Sequence, residues 1–409
     1  MTSRRNFLTL VGAGAAATLL GCAPETRRGT DPAGTATPDR LLVDTAGGLV
    51  VLRGGVADAL GPAATTADGQ TIFTVRAVGA DTELRILSAR TGEVTRSVQL
   101  KGRWTPSTGG SFGDVVALVP PGTVSDAAYP PAGRSGTSIM VVAGEKVQRL
   151  DLPGNYTPDA FAIDATGLFV LDWVPSTAPE HYRVREAHVV GGAVTALYGR
   201  DKVPIPPEQE EQMRGVRRNA VLGAHNDVLY TLYTHQPSSS TGAADEKEGW
   251  DAAFIHTLHL EQRWAHCIDL PAPFGLDPNA SHAIAIDTGR LTVYVVDAAA
   301  GKLAVVGTES LDVQRVLDIP KGTGPAYAAF AADTLFVATG TQVVAVAARD
   351  MSSRMVGSLP AEALGLMSSM DGQRVYAGLP DSVFWYDARS FTKLGRVPVQ
   401  GLTGLRRAV

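Results

Sequence analysis

Apolar and polar positions along the chain alternate between short continuous apolar runs and turn-forming clusters. "LTVYVVD" (Leu291 to Asp297) and "TLFVATG" (Thr334 to Gly340) are two such runs. Runs of this length bounded by turn signals predict strands buried on both faces. They recur in a unit of roughly 35–55 residues, the period of a propeller or solenoid. Each unit reads as a strand ending in a turn such as "DG" or "DTG", then an apolar strand, a second strand and a more polar one. Ala63 to Leu100 ("AATTADGQTIFTVRAVGADTELRILSARTGEVTRSVQL") and Leu364 to Val399 ("LGLMSSMDGQRVYAGLPDSVFWYDARSFTKLGRVPV") align over "ADGQTIFTV" and "MDGQRVYAG". Further copies lie at Asp159 to Val174, Ser281 to Val306 and Ala326 to Asp350. Asp and Gly in the turns supply a side-chain hydrogen bond and a positive φ, so each pair reads first as a hairpin turn.

The ends of the repeat predict how it closes. "DRLLVDTAGGLVVLRGGV" (Asp39 to Val56) looks like a unit lacking its first strand, and "GLTGLRRAV" (Gly401 to Val409) like a first strand standing alone. Pairing Leu402–Val409 with the strand around Leu41–Asp44 completes a unit and removes two open edges. The expected fold is an all-β propeller over 39–409, closed by its terminal strands. Eight blades are counted; seven stays open, because the first strand of Arg103 to Leu152 is weak.

The first residues break this pattern. Arg4 and Arg5 precede an uncharged run, Leu8 to Leu20, of thirteen residues. That is shorter than the about twenty residues needed to cross a hydrocarbon core and fits a signal peptide. "SRRNFLT" resembles the twin-arginine export motif through Ser3, Arg4, Arg5, Phe7 and Leu8, with Thr9 at its variable last place. "LLGC" (Leu19 to Cys22) resembles the bacterial lipobox. The two resemblances imply a signal peptide over 1–21, cleavage before Cys22 and lipidation of Cys22. The protein would then sit outside the cytoplasm on the outer face of the cell membrane. Residues 22–38, rich in Pro, Gly, Thr and charge, read as a flexible tether. The repeats resemble the YVTN and quinoprotein-dehydrogenase-like propellers of exported bacterial proteins. That resemblance implies an architecture and leaves binding platform and enzyme both open.

Composition narrows the partners. Formal charge is −5 and only 19% of residues are charged, against a usual value of about 25%. Nothing in this balance calls for nucleic acid. Gly (44) and Pro (25) are abundant, as many tight turns require. With Cys22 lipidated, Cys267 has no partner among the two cysteines, so no disulfide framework is expected.

Chemistry is sparse. Five of the eight histidines (His225, His235, His256, His259, His266) fall within 42 residues. His256 and His259 are three apart on a predicted strand and face opposite ways, so no metal site is assigned. Cys267 beside His266 reads either as a buried inert thiol or as a reactive pair. There is no G-x-S-x-G, H-E-x-x-H, phosphate-binding loop or C-x-x-C-H motif. The five Trp (Trp104, Trp173, Trp250, Trp264, Trp385) share no place in the unit, so no quinone or other cofactor is expected. Three segments depart from the repeat: Val119 to Ser138, Gly199 to Asn219 and His235 to Asp251. In the second, Pro206 and Pro207 before an acidic stretch predict one or two helical turns. Loops on a rigid scaffold carry recognition or are tolerated elaboration. The expected function is a lipid-anchored binding or scaffold module for a protein, glycan or small molecule. The alternative is a propeller enzyme, lactonase-like or dehydrogenase-like, with a divalent metal among its options.

Overall fold

The computed structural model describes residues 36–123, 130–214, 218–223, 227–236, 252–276 and 281–409. The export motif, Cys22, His225 and most of the 235–251 insertion lie outside the described residues. The rest is all-β: eight four-stranded antiparallel sheets, seven of them formed by consecutive strands. The innermost strands of blades 1 to 7 are Ala63–Thr65, Thr105–Gly109, Asn155–Phe161, Asn219–Gly223, His282–Asp287, Ala326–Ala331 and Gly365–Ser368. Blade 8 is the composite one. Its innermost strand is Leu402–Ala408, which pairs with Thr37–Thr45, followed outward by Gly48–Gly54 and Val56–Gly61. The register sets Leu41 opposite Ala408, Leu42 opposite Arg407, Val43 opposite Leu405 and Asp44 opposite Gly404. The count of eight and the terminal closure are as the repeat predicted, and the weak first strand of blade 2 is real but short, at Thr105–Gly109.

The apolar runs occupy the second and third strands of each blade. All of Thr292–Asp297 is buried, whereas the outer strand of the same blade, Val313–Asp318, is mostly exposed. Each middle strand presents both faces to neighbouring blades, which is why it lacks polar alternation. The core is correspondingly divided into eight apolar clusters, one per seam. Phe336, Val343 and Ala345 of blade 6 meet Val375, Phe384 and Tyr386 of blade 7, and Leu42, Leu49 and Val51 of blade 8 meet Ile72 and Leu87 of blade 1.

The turn acids are structural. Gln70 N–H donates to Asp68 Oδ1 at 2.9 Å and Thr71 N–H to Thr66 Oγ1 at 3.0 Å. In blade 7 the equivalent Gln373 N–H donates to Asp371 at 3.0 Å and Arg374 N–H to Ser369 at 2.9 Å. Gly69 and Gly372 follow at φ of +74° and +65°, the left-handed region open to glycine. Among the described residues no helix is long and apolar enough to cross a membrane.

Candidate functional site

The seam between blades 3 and 4 differs from the others because the chain between them is long. Blade 3 ends in an outer strand of two residues, Val194–Thr195. The segment that follows turns back over the seam. Tyr198 bridges in parallel to Trp264 on the outer strand of blade 4, and Ala265 N–H donates to the Tyr198 carbonyl at 2.8 Å. Pro206 is extended, and Pro207–Gln209 forms one 3-10 turn, the shorter of the two helical forms expected there. Met213 then pairs with Tyr182 of blade 3 through two 2.8 Å backbone bonds. Gln236 of blade 4 accepts from Arg214 N–H at 2.7 Å and donates to its carbonyl at 2.9 Å. The segment therefore binds both blades and roofs the space between them.

Ion pairs fasten it. Arg183 and Arg185 are two apart on the strand His181–His188 and share a face. Arg183 donates to Glu210 at 2.7 Å and to Asp172 at 2.9 Å. Arg185 donates to both Glu210 oxygens at 2.9 and 2.6 Å. The Glu210 side chain is only 4% exposed, so its two guanidinium partners supply the compensation that a buried carboxylate requires. The hydrogen bond to Glu210 raises the Arg185 pKa further. Nearer the axis, Arg218 donates to both Asp159 oxygens at 2.7 and 2.8 Å. Burial opposes the Arg218 charge, but Asp159, Tyr233 and Tyr182 outweigh it. Tyr182 Oη donates to Tyr233 Oη at 2.9 Å. Arg263 of blade 4 reaches Asp164 and Glu186 of blade 3.

Under the roof lies a cavity of about 240 Å³. Val184, Leu197, Ile205, Met213 and Ala265 form its apolar wall; Glu211, His256 and Cys267 stand on its polar side, with Gln209, His266 and the paired Arg183 and Glu210. His256 and Cys267 are cross-strand partners, so they share the face toward blade 3. Burial, then Asp269, pushes the Glu211 pKa up to about 7, while a Cys267 hydrogen bond opposes the rise. One carboxyl oxygen, Oε2, is buried with no partner. Burial first, and Glu211 next, push the Cys267 thiol well above its ordinary range, so it stays a thiol. Burial, Arg218 and His266 bring His256 down to about 4, leaving a neutral imidazole at neutral pH.

Among the described residues, no more than two histidines of the cluster come to one place. His256 and His266 border the cavity, His259 packs on Trp264 with ring centroids 5.1 Å apart, and His235 packs on His282 at 5.6 Å. Among the described residues no three His, Cys, Asp or Glu side chains form a metal-holding group. His266 borders Cys267 in sequence, but burial, then Arg200, lowers its pKa. A neutral imidazole beside a high-pKa thiol is not the ion pair that activates a cysteine. A second cavity of about 330 Å³ opens where the innermost strands of blades 1, 2, 3, 4 and 8 end. Its Arg406 is tied to Asp44 at 2.8 Å and its Asp159 to Arg218.

Segment 199–219 stood out in the sequence as a departure from the repeat, but Glu211 within it did not. Its neighbours Glu208 and Glu210 are of the same type, and only the fold separates a solvated acid, a paired acid and an unpaired one.

No family model and no curated protein matches the chain. Solved structures do. The chain is similar to dihydro-heme d1 dehydrogenase NirN in complex with DHE, at TM-score 0.50 and 11% identity, over 92% of this chain and 77% of that one. It is also similar to Saccharomyces cerevisiae Sqt1, at TM-score 0.48 and 9% identity, over 83% and 85%. With Kuenenia stuttgartiensis hydrazine synthase the TM-score is 0.42 and the identity 11%, over 90% and 100%. At such identities the likeness is one of fold alone.

Proposed function

We propose that this chain is a ligand-binding propeller, exported by the twin-arginine route and held at the outer face of the cell membrane by lipid on Cys22. Its ligand is a small molecule taken between blades 3 and 4. The supporting observation is that the segment interrupting the repeat roofs a cavity with an apolar wall and an unpartnered buried carboxyl oxygen. An unpaired buried polar group costs stability, about 1–3 kcal/mol, and is worth keeping where a ligand satisfies it. An apolar cavity with a few convergent polar groups and a perturbed pKa is the usual form of a small-molecule site.

Thermal unfolding in the presence of cationic, anionic and neutral fragments tests the reading. A ligand at a hundred times its Kd stabilises by about 2.7 kcal/mol, which raises Tm. At least one class should raise Tm in the wild type and fail to do so in Leu197→Trp, whose indole fills the cavity. If every fragment acts alike on the two proteins, the pocket is not the binding site.

A further inference from the structure

We infer that the pocket between blades 3 and 4 takes a small organic cation, a primary or secondary ammonium group on a short apolar body. The ammonium would meet the Glu211 carboxylate, and the body would lie against Leu197, Ile205, Met213 and Ala265. The inference rests on the reading of this cavity as the binding site and adds the chemistry of its ligand.

Three observations carry it. The first is the charge balance. Arg183 and Arg185 from blade 3 have their charges paired with Glu210 and Asp172, through the terminal nitrogens of Arg183, whose Nε is left without an acceptor. The groups acting on Glu211 are the Asp269 carboxylate and the Cys267 thiol, with no cation among them. The remaining ionisable groups at the cavity are His256 and His266, both with lowered pKa. An anion would meet the Glu211 carboxylate with the Asp269 charge acting on it from outside the lining; a cation would meet a partner. The second is the buried Oε2 with no donor. An ammonium group offers up to three N–H donors, and the neutral His256 imidazole is an acceptor within the same cavity wall. The third is the wall itself, five apolar side chains that favour an alkyl body and give a bare inorganic ion nothing to hold.

Binding a cation to a carboxyl group that holds its proton to about pH 7 must expel that proton. Affinity should therefore fall about tenfold between pH 8 and pH 6, by linkage.

The test is calorimetric titration of the purified protein with n-butylammonium, n-butanol and butyrate. Butylammonium should bind tightest at pH 8, bind about tenfold weaker at pH 6, and lose at least tenfold in Glu211→Gln. At pH 7 its binding should release about half a proton, read from the difference between buffers of unlike ionisation enthalpy. That measurement holds even if the Glu211→Gln variant folds poorly. If butanol or butyrate binds as well as butylammonium, or if no proton is released, the cation assignment falls while the pocket stands. Should none of the three bind the wild type, the cation assignment falls too; if the wider fragment set also lacks a binder sensitive to Leu197→Trp, so does the pocket.

Discussion

Asp68 and Glu211 are both acids next to a bend in the chain, and their surroundings give them opposite tasks. Asp68 accepts from Gln70 N–H, two residues away, a bond that local sequence suffices to form. The Glu211 environment comes from Cys267 and Asp269, more than fifty residues on. Its pKa rises from 4.5 to about 7, so between those values the folded state binds more protons than the unfolded. Its contribution to stability is complete below pH 4.5 and is lost as pH rises through 7. Glu211→Gln has no proton to lose. The wild-type Tm should thus decline relative to that of the variant between pH 5 and pH 8, read by scanning calorimetry; parallel Tm curves would show that Glu211 is solvated.

At the scale of the element, the last strand carries the closure. Leu402 and Ala408 are 3% and 2% exposed, and the strand pairs with Thr37–Thr45 at five positions from Leu41 to Thr45. Several backbone hydrogen bonds at about 1 kcal/mol net each, with about 1.5–3 kcal/mol for a buried leucine, are large against a stability of about 5–15 kcal/mol. Deleting 402–409 should lower Tm sharply or cause aggregation. A point variant reaches the same seam. A Cβ at Gly378 would lie 2.9 Å from Leu405 Cγ and 3.1 Å from Leu402 Cδ2, so Gly378→Val should also destabilise, as measured by urea unfolding. A truncated chain that melts with the full one would contradict closure by this strand.

At the scale of the whole molecule, eight seams close one ring, each with an apolar cluster. The seam between blades 3 and 4 adds to its cluster Asp159–Arg218, Tyr182–Tyr233 and the Arg183–Arg185–Glu210 group. Polar networks of this kind are satisfied only when every member is placed, which suits a rigid wall for a pocket. The first 35 residues lie outside the described ones, so delivery and anchoring are tested in cells. Cys22→Ala should leave the membrane fraction and take up no labelled fatty acid. A Cys22→Ala protein that still sediments with membranes would remove lipid from the proposal.

The repeat, the blade count and the closure were legible in the sequence because they rest on periodicity. Runs such as Thr292–Asp297 are apolar on both faces only where a sheet lies between two others, and the orphan strands at 39–56 and 402–409 complete each other. The turn acids were legible for the same local reason. The candidate site was not, beyond the position of an interrupting segment. Glu208, Glu210 and Glu211 are alike in the chain. The roof put Glu210 between two arginines and Glu211 against a thiol and a second acid, partners supplied by strands at 181–188 and 264–269. Which acid is paired and which is left waiting depends on contacts between distant residues, and those are decided only when blades 3 and 4 pack.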